Sequence, residues 1–343
     1  MGQFVNFARS AFVRCRIAAA ASLLAAGLLA TAPAHADNPS DAGPANPVRI
    51  DDDGTVHVPA LTVPPSSLLS DKSKEYLAEY LLGIKDPAMR KLPDGGIPPF
   101  MRPYIASAWK QFAVVRKPVV IAGVKGFSYT PKAGIKPANR HRILLNLHGG
   151  GFGGCYPGCA ELESMPIAAI GGYKVITIDY REAPDYRFPA ASEDVAAVYR
   201  QLLKTYKPQE IGIYGCSAGG MLVGMSLAWF EKEKLPMPGG AGIFCSGMTL
   251  VKGPGFGGDA SYATMPLGEA AVPASSNLSQ DLPPIPYLRG VDPKDPLAAP
   301  ANSQEILSKF PPTLFITGTR AFDFSSAVYS HGQMIKAGAQ ADL

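Results

Sequence analysis

Two glycine-rich runs in this chain, each following a short apolar stretch, set a hydroxyl and bare backbone amides where acyl chemistry could occur. The first is His148-Gly149-Gly150-Gly151-Phe152, and the second, further along, is Gly215-Cys216-Ser217-Ala218-Gly219. A serine in the pattern Gly-x-Ser-x-Gly sits on a tight strand-to-helix turn whose backbone is tolerable only where its neighbours are small. Gly215 and Gly219 supply that clearance, and a helix beginning at Ala218 aims the positive end of its dipole at developing negative charge. Ser217 is therefore the candidate nucleophile. The upstream glycines let N–H groups approach an oxyanion with no side chain in the way, which makes Gly150, Gly151 and Ala218 the candidate oxyanion donors, with His148 and Gly149 shaping the loop. The serine pattern alone is common by chance. The argument rests on the strand before it, the helix after it and the glycine loop upstream, in that order.

Serine chemistry also needs a base to take the hydroxyl proton, almost always a histidine held by a carboxylate. The five histidines are His35, His57, His141, His148 and His331. His35 falls in an N-terminal targeting segment and His57 in a polar leader. His141 and His148 stand near the glycine loop, where His148 suits an orienting role in loop packing, and His331 sits mid-helix on an amphipathic face. None occupies the expected place of the base, so the expectation is of a chain that stops before its histidine. The competing reading is a catalytically silent protein that keeps the pocket to bind a small acyl compound or a partner. A strained turn presenting a hydroxyl beside convergent amides serves no purpose in binding alone, which favours the first reading.

The elements that must position these groups alternate. Apolar runs at 119–129, 142–147, 173–179, 211–214, 240–245 and 312–317 read as strands, and 192–206, 218–232, 303–310 and 325–336 as helices. Strands separated by helices imply an α/β fold with a mostly parallel central sheet covered on both faces. Helical spacing at 76–82 and 104–112, upstream of the first strand, predicts an N-terminal helical lid over 61–118, with the catalytic domain over 119–343. The final residues, Gln340-Ala341-Asp342-Leu343, resemble the entry to one more strand. The last strand is thus expected to be missing and 312–317 to stand at the sheet edge. The Gly-, Pro- and Ser-rich run from Gly247 to Ala301 reads as a long loop. Its glycines lack the lysine and serine or threonine of a phosphate loop.

With 343 residues, 47% hydrophobic and 17% charged, the chain can bury a large core. A formal charge of +4, part of it from Arg9, Arg14 and Arg16, and no basic patch interleaved with aromatics argue against a nucleic-acid partner. Residues 1–36 are basic, then apolar from Ile17 to Ala30, then small up to Ala34-His35-Ala36, the pattern of a secretory signal cleaved after Ala36. The alternative is an uncleaved anchor, but the apolar stretch falls short of the ~20 residues a spanning helix needs. The expectation is a secreted or periplasmic protein with no stable membrane anchor and a flexible leader over 37–60. Export leaves Cys155, Cys159, Cys216 and Cys245 in an oxidising compartment. Cys155 and Cys159 could close a small ring or remain two free thiols, since spacing does not fix geometry. No ligand spacing suggests a metal site.

Three motifs in order, the His148 to Phe152 loop, Asp179-Tyr180-Arg181 with Ala183-Pro184 and Phe188-Pro189-Ala190, and the Gly215 to Gly220 turn, resemble the hormone-sensitive lipase group of α/β-hydrolase-fold esterases. The resemblance covers about Leu61 to Leu343. It implies an eight-stranded sheet, a helical cap, no cofactor, and hydrolysis of short acyl or small hydrophobic esters through an acyl-enzyme. A lactonase, amidase or peptidase would use the same chemistry. Two departures stand out. The group's elbow has an acidic residue where this chain has Cys216, which also raises Cys216 as an alternative nucleophile. The group's acid would fall at Ala321, and Asp323 in the same loop is the substitute, with helix capping as its competing role.

Overall fold

The structure, a computed structural model, describes residues 48–58, 62–83, 86, 96–251, 256–264 and 285–343. The expected targeting segment and its cleavage site lie outside the described residues. The chain divides into a short unit, Met1–Thr62, and a large one, Val63–Leu343. In the short unit β1 (Arg49–Ile50) pairs antiparallel with β2 (Val56–His57). The turn between them is closed by Gly54, at φ +85°, donating its N–H to the Asp51 carbonyl. The leader expected over 37–60 thus contains a hairpin, and its Asp53-Gly54 pair is the turn signal that the leader reading passed over.

The large unit opens with α1 (Asp71–Gly83) and α2 (Arg102–Gln111). Both helices were expected, and aromatic contacts join them: Tyr76 meets Tyr104 edge-on at 5.8 Å, and Tyr80 meets Phe100, in the turn just before α2, at 6.4 Å. The sheet that follows is built from β3 (Val114–Ile121), β4 (Val124–Pro131), β5 (Ile143–Leu147), β6 (Lys174–Ile178), β7 (Ile211–Cys216), β8 (Gly240–Phe244), β9 (Thr313–Ile316) and β10 (Ala341–Asp342). Between β5 and β6 runs α3 (Gly158–Gly171), and α4 (Ala190–Leu202) precedes β7. Then α5 (Ala218–Lys232) joins β7 to β8, α6 (Asp259–Thr264) and α7 (Gln304–Leu307) lie before β9, and α8 (Phe324–Lys336) leads to β10.

In space the eight strands run β10-β9-β8-β7-β5-β6-β4-β3, parallel from β10 to β6 and antiparallel at β4 and β3. This is the α/β sheet the alternation implied. Its central strands are covered on both faces: Ile143, Leu145, Leu147, Ile211, Ile213 and Ile243 pack on one, and Val175 and Tyr214, with Leu144, on the other.

Four expectations are corrected. The apolar run at 119–129 is not one strand but parts of two, reversed at Ala122 and Gly123, which take φ 50° and 82°. An Ala-Gly reversal carries little of the turn signal that Asn-Gly would, so the apolar run masked it. Because β3 starts at Val114, the helical region ends before 118. The helix α3 was not foreseen, because its glycines, alanines and Pro166 blur any periodicity. A strand does form where none was expected: Ala341 pairs with Thr313 and Asp342 with Leu314, so β9 is not the sheet edge.

Candidate active site

Ser217 joins β7 to α5 with φ 57° and ψ −124°, a conformation that costs energy in any residue with a side chain and persists only where its surroundings dictate it. Those surroundings are backbone. A Cβ on Gly219 would lie 1.9 Å from the Leu147 carbonyl oxygen, and one on Gly215 would lie 2.3 Å from the same atom. Only glycine lets the turn settle on the end of β5. The Ser217 N–H donates to the Phe244 carbonyl at 2.9 Å, which ties the turn to β8. Every residue from Ala218 to Phe230 is buried, so the turn rests on a helix embedded in the core.

The glycine loop is built with similar economy. Gly150 takes φ 126°, and a Cβ there would meet the Gly154 carbonyl oxygen at 2.1 Å. The Tyr180 hydroxyl donates to the His148 carbonyl at 2.6 Å, and Ala183 N–H donates to the Phe152 carbonyl at 2.8 Å. The Phe152 ring stacks on Tyr287 at 4.7 Å, and the Tyr287 hydroxyl accepts the Ala191 N–H. The Asp-Tyr-Arg and Phe-Pro-Ala motifs thereby acquire a structural role. Arg181 donates through Nε and its backbone N–H to the two oxygens of Asp194, both at 2.8 Å, locking the segment that holds the loop. Cys155 and Cys159 form a disulfide, and Cys155 Sγ lies 3.4 Å from Met101 Sδ, just before α2.

Ser217, Ala218, Gly151 and Asp323 line one cavity of about 180 Å³, with Met221 and Phe256 among its apolar walls. Three of the expected groups, the nucleophile and two of the three oxyanion donors, thus share a space with the expected acid. The third donor, Gly150, stands one residue behind Gly151. Asp323 is buried, and its Oδ2 accepts the Thr317 hydroxyl at 2.8 Å. It stands at the N-cap position just before α8 but makes no side-chain cap there. Of its two candidate roles, capping is therefore not realised. Burial holds its carboxyl above the ordinary range, partly offset by the Thr317 bond.

None of the described histidines lines this cavity. His148 is fully buried, donates from Nδ1 to the Gly149 carbonyl at 2.7 Å and stacks on Tyr180 at 4.3 Å. Burial pushes it down to about 4, so it is neutral near pH 7. Its bond has a use: the Gly149 carbonyl and the Gly150 N–H belong to one trans peptide and point opposite ways, so fixing the first aims the second. His331, on α8, has Nε2 3.3 Å from the Ala341 carbonyl and its ring edge-on to Phe315. His141 is exposed just before β5, and His57 pairs with Asp51 in the β1–β2 hairpin. Cys216, the alternative nucleophile, is also engaged elsewhere. Its thiol meets that of Cys245, and this contact, together with burial, pushes it up and away from the reactive thiolate.

The sequence reading missed Glu163, on α3. Its Oε1 accepts the Gly149 N–H at 2.9 Å, its Oε2 accepts Asn146 Nδ2 at 2.8 Å, and the backbone of Cys216 favours its charged form as well. Asn146 in turn accepts the Thr177 hydroxyl at 2.9 Å. The available signal was Asn146 itself, an amide inside the apolar strand Ile143–Leu147, which must find a buried partner.

A family model described as alpha/beta hydrolase fold matches residues 144–343. The chain belongs to this family. Its recognised relatives include an acetyl-hydrolase of Streptomyces hygroscopicus, 30% identical over 215 residues, which are 60% of this chain and 66% of that protein. The chain thus spans just under two thirds of that relative's length. Among solved structures, esterase E25 is 26% identical with a TM-score of 0.68, over 84% of this chain and 88% of that one. An esterase of the bacterial hormone-sensitive lipase family, 24% identical with a TM-score of 0.64 over 80% of this chain and 87% of its own, shares the fold.

Proposed function

We propose that the protein is an exported carboxylic-ester hydrolase acting on short-chain or small hydrophobic esters through an acyl-enzyme on Ser217. The observation that carries this reading is the strained Ser217 turn opening, beside Gly151, Ala218 and Asp323, onto a small and largely apolar cavity. Ser217 Oγ attacks the ester carbonyl carbon, its proton passes to a base, and the carbonyl oxygen becomes an oxyanion facing the amides of Gly150, Gly151 and Ala218. The protonated base hands that proton to the departing alkoxide, which leaves as the alcohol with the acyl group on Ser217. Water, deprotonated by the same base, then attacks the acyl carbon, and Ser217 leaves carrying that proton as the acid is released. Each amide aimed at the oxyanion contributes about 2.7–4 kcal/mol of the rate acceleration, judged by what removal of one such donor costs elsewhere. A cavity of about 180 Å³ suits a short acyl chain better than a long one. The names of the acetyl-hydrolase and esterase relatives support the reaction class. The Cys155–Cys159 disulfide supports export, because such bonds persist in oxidising compartments.

The base is the open part of this reading. His148 and His331 are held by other partners, so the proposal has the base supplied from outside residues 1–343. That same observation favours the second reading, a silent homologue that binds a small acyl ligand. Turnover separates the two. The 343-residue chain should hydrolyse p-nitrophenyl acetate at no more than the residual rate of a serine hydrolase lacking one triad member, ~10³–10⁴-fold above water. A chain extended through the downstream reading frame that supplies a histidine should gain at least ~10³-fold over it. No gain from any frame would leave the silent homologue as the better reading.

A further inference from the structure

The carboxylate of Glu163 lies where the nucleophile turn and the glycine loop meet. It accepts the N–H of Gly149, one residue before Gly150, and the backbone of Cys216, one residue before Ser217, favours its charged form. The two backbones touch there: a Cβ on Gly149 would lie 2.9 Å from the Cys216 carbonyl oxygen, 3.4 Å from Glu163 Oε1 and 3.4 Å from Ser217 Cβ. Nothing larger than hydrogen fits at Gly149, so the amide at this point can be drawn directly onto the acid. Behind the carboxylate, Asn146 and then Thr177 fix its second oxygen across β5 and β6. The Tyr214 hydroxyl donates to the Glu163 backbone carbonyl at 3.2 Å, which ties the residue to β7 as well.

We propose that Glu163 is a positioning residue of this site, a clamp that sets the oxyanion amides at a fixed distance from Ser217 Oγ. This rests on the ester-hydrolase reading. The clamp works because the carboxylate holds the Gly149 N–H while Asn146 fixes its other oxygen, and Gly149 itself packs against Cys216 and Ser217; charge-assisted bonds of this kind are short and directional. Oxyanion donors act only when preorganised, so a small drift between loop and turn weakens transition-state binding more than substrate binding. Burial raises the Glu163 carboxyl to about 7, opposed by its bonds to Asn146 and Gly149 and by the Cys216 backbone. The acid is therefore charged in assays at mildly alkaline pH and costly to keep in place unless its donors, Gly149 and Asn146, are aligned.

The test uses Glu163→Gln and Glu163→Ala in a chain extended to supply a histidine base, with Ser217→Ala alongside, on p-nitrophenyl acetate at pH 8. Gln keeps the shape and one oxygen but turns an NH2 group towards a donor. Glu163→Gln should lower kcat about 10²-fold while KM stays within about threefold, the cost of misplacement rather than of lost binding. Amide exchange at Gly149, read by NMR on residues 1–343, should accelerate at least about tenfold, with Leu227 in α5 unchanged. If Glu163→Ala fails to fold, Glu163→Gln decides. A kcat within about twofold of wild type overturns the proposal, whether exchange is unchanged or faster, because faster exchange alone makes Glu163 a structural contact. If Ser217→Ala leaves turnover intact, the ester-hydrolase reading falls instead, and the exchange rates alone judge the clamp.

Discussion

Replacing Ser217 by alanine in a chain extended to supply a histidine base should lower turnover of p-nitrophenyl acetate by at least ~10⁴-fold while leaving the fold in place. The size of the effect follows from the role. Without the hydroxyl no acyl-enzyme forms, and only water attack assisted by the oxyanion amides remains. The fold should survive because the Ser217 contacts that hold the turn are made by its backbone: the N–H to Phe244 and the carbonyl to the Met221 N–H at 3.1 Å. Steady-state kinetics with circular dichroism on both proteins checks both halves of this expectation.

Gly219→Ala should instead destabilise the protein by about 3 kcal/mol or more and abolish activity with it, because overpacking against immovable groups sits at the top of the usual range. A Cβ there would lie 1.9 Å from the Leu147 carbonyl oxygen and 2.7 Å from that of His148, and neither can swing aside as a side chain would. Either α5 lifts off the sheet or the end of β5 moves, and both carry the site with them. Gly332→Ala is the control. That glycine is in α8 with nothing within 4 Å of the added carbon, so the change should be neutral or stabilise by up to about 1 kcal/mol. Urea denaturation of the two variants separates steric conflict from helix propensity.

The elbow and the glycine loop were legible because their chemistry depends on what is absent, a Cβ at Gly215, Gly219 and Gly150, and absence of a side chain is written directly in sequence. The alternation of strands and helices was legible for the same kind of local reason. What escaped depends on contacts between distant segments. The hairpin at Ala122-Gly123 is imposed by pairing of β4 with β6 as much as by its turn residues. The helix α3 is held by burial of Met165 and Ala168 against the sheet rather than by a periodic stripe. Glu163 escaped with it, since a carboxylate on an unrecognised helix cannot be placed beside Gly149 or Cys216. For Asp323 the loop was readable but the choice between cap and acid was not, because it turns on the Thr317 hydroxyl reaching Oδ2.

The claim at the centre of this account is that Ser217 carries the acyl group. It is tested most directly by acid-quenching the reaction with p-nitrophenyl acetate during the first turnovers and locating the acetyl group by peptide mass spectrometry. The account predicts acetylation of Ser217 in the wild-type active site and none at that peptide in Ser217→Ala. Acetyl on Cys216 or Cys245, or turnover with no acylated intermediate at Ser217, would contradict it.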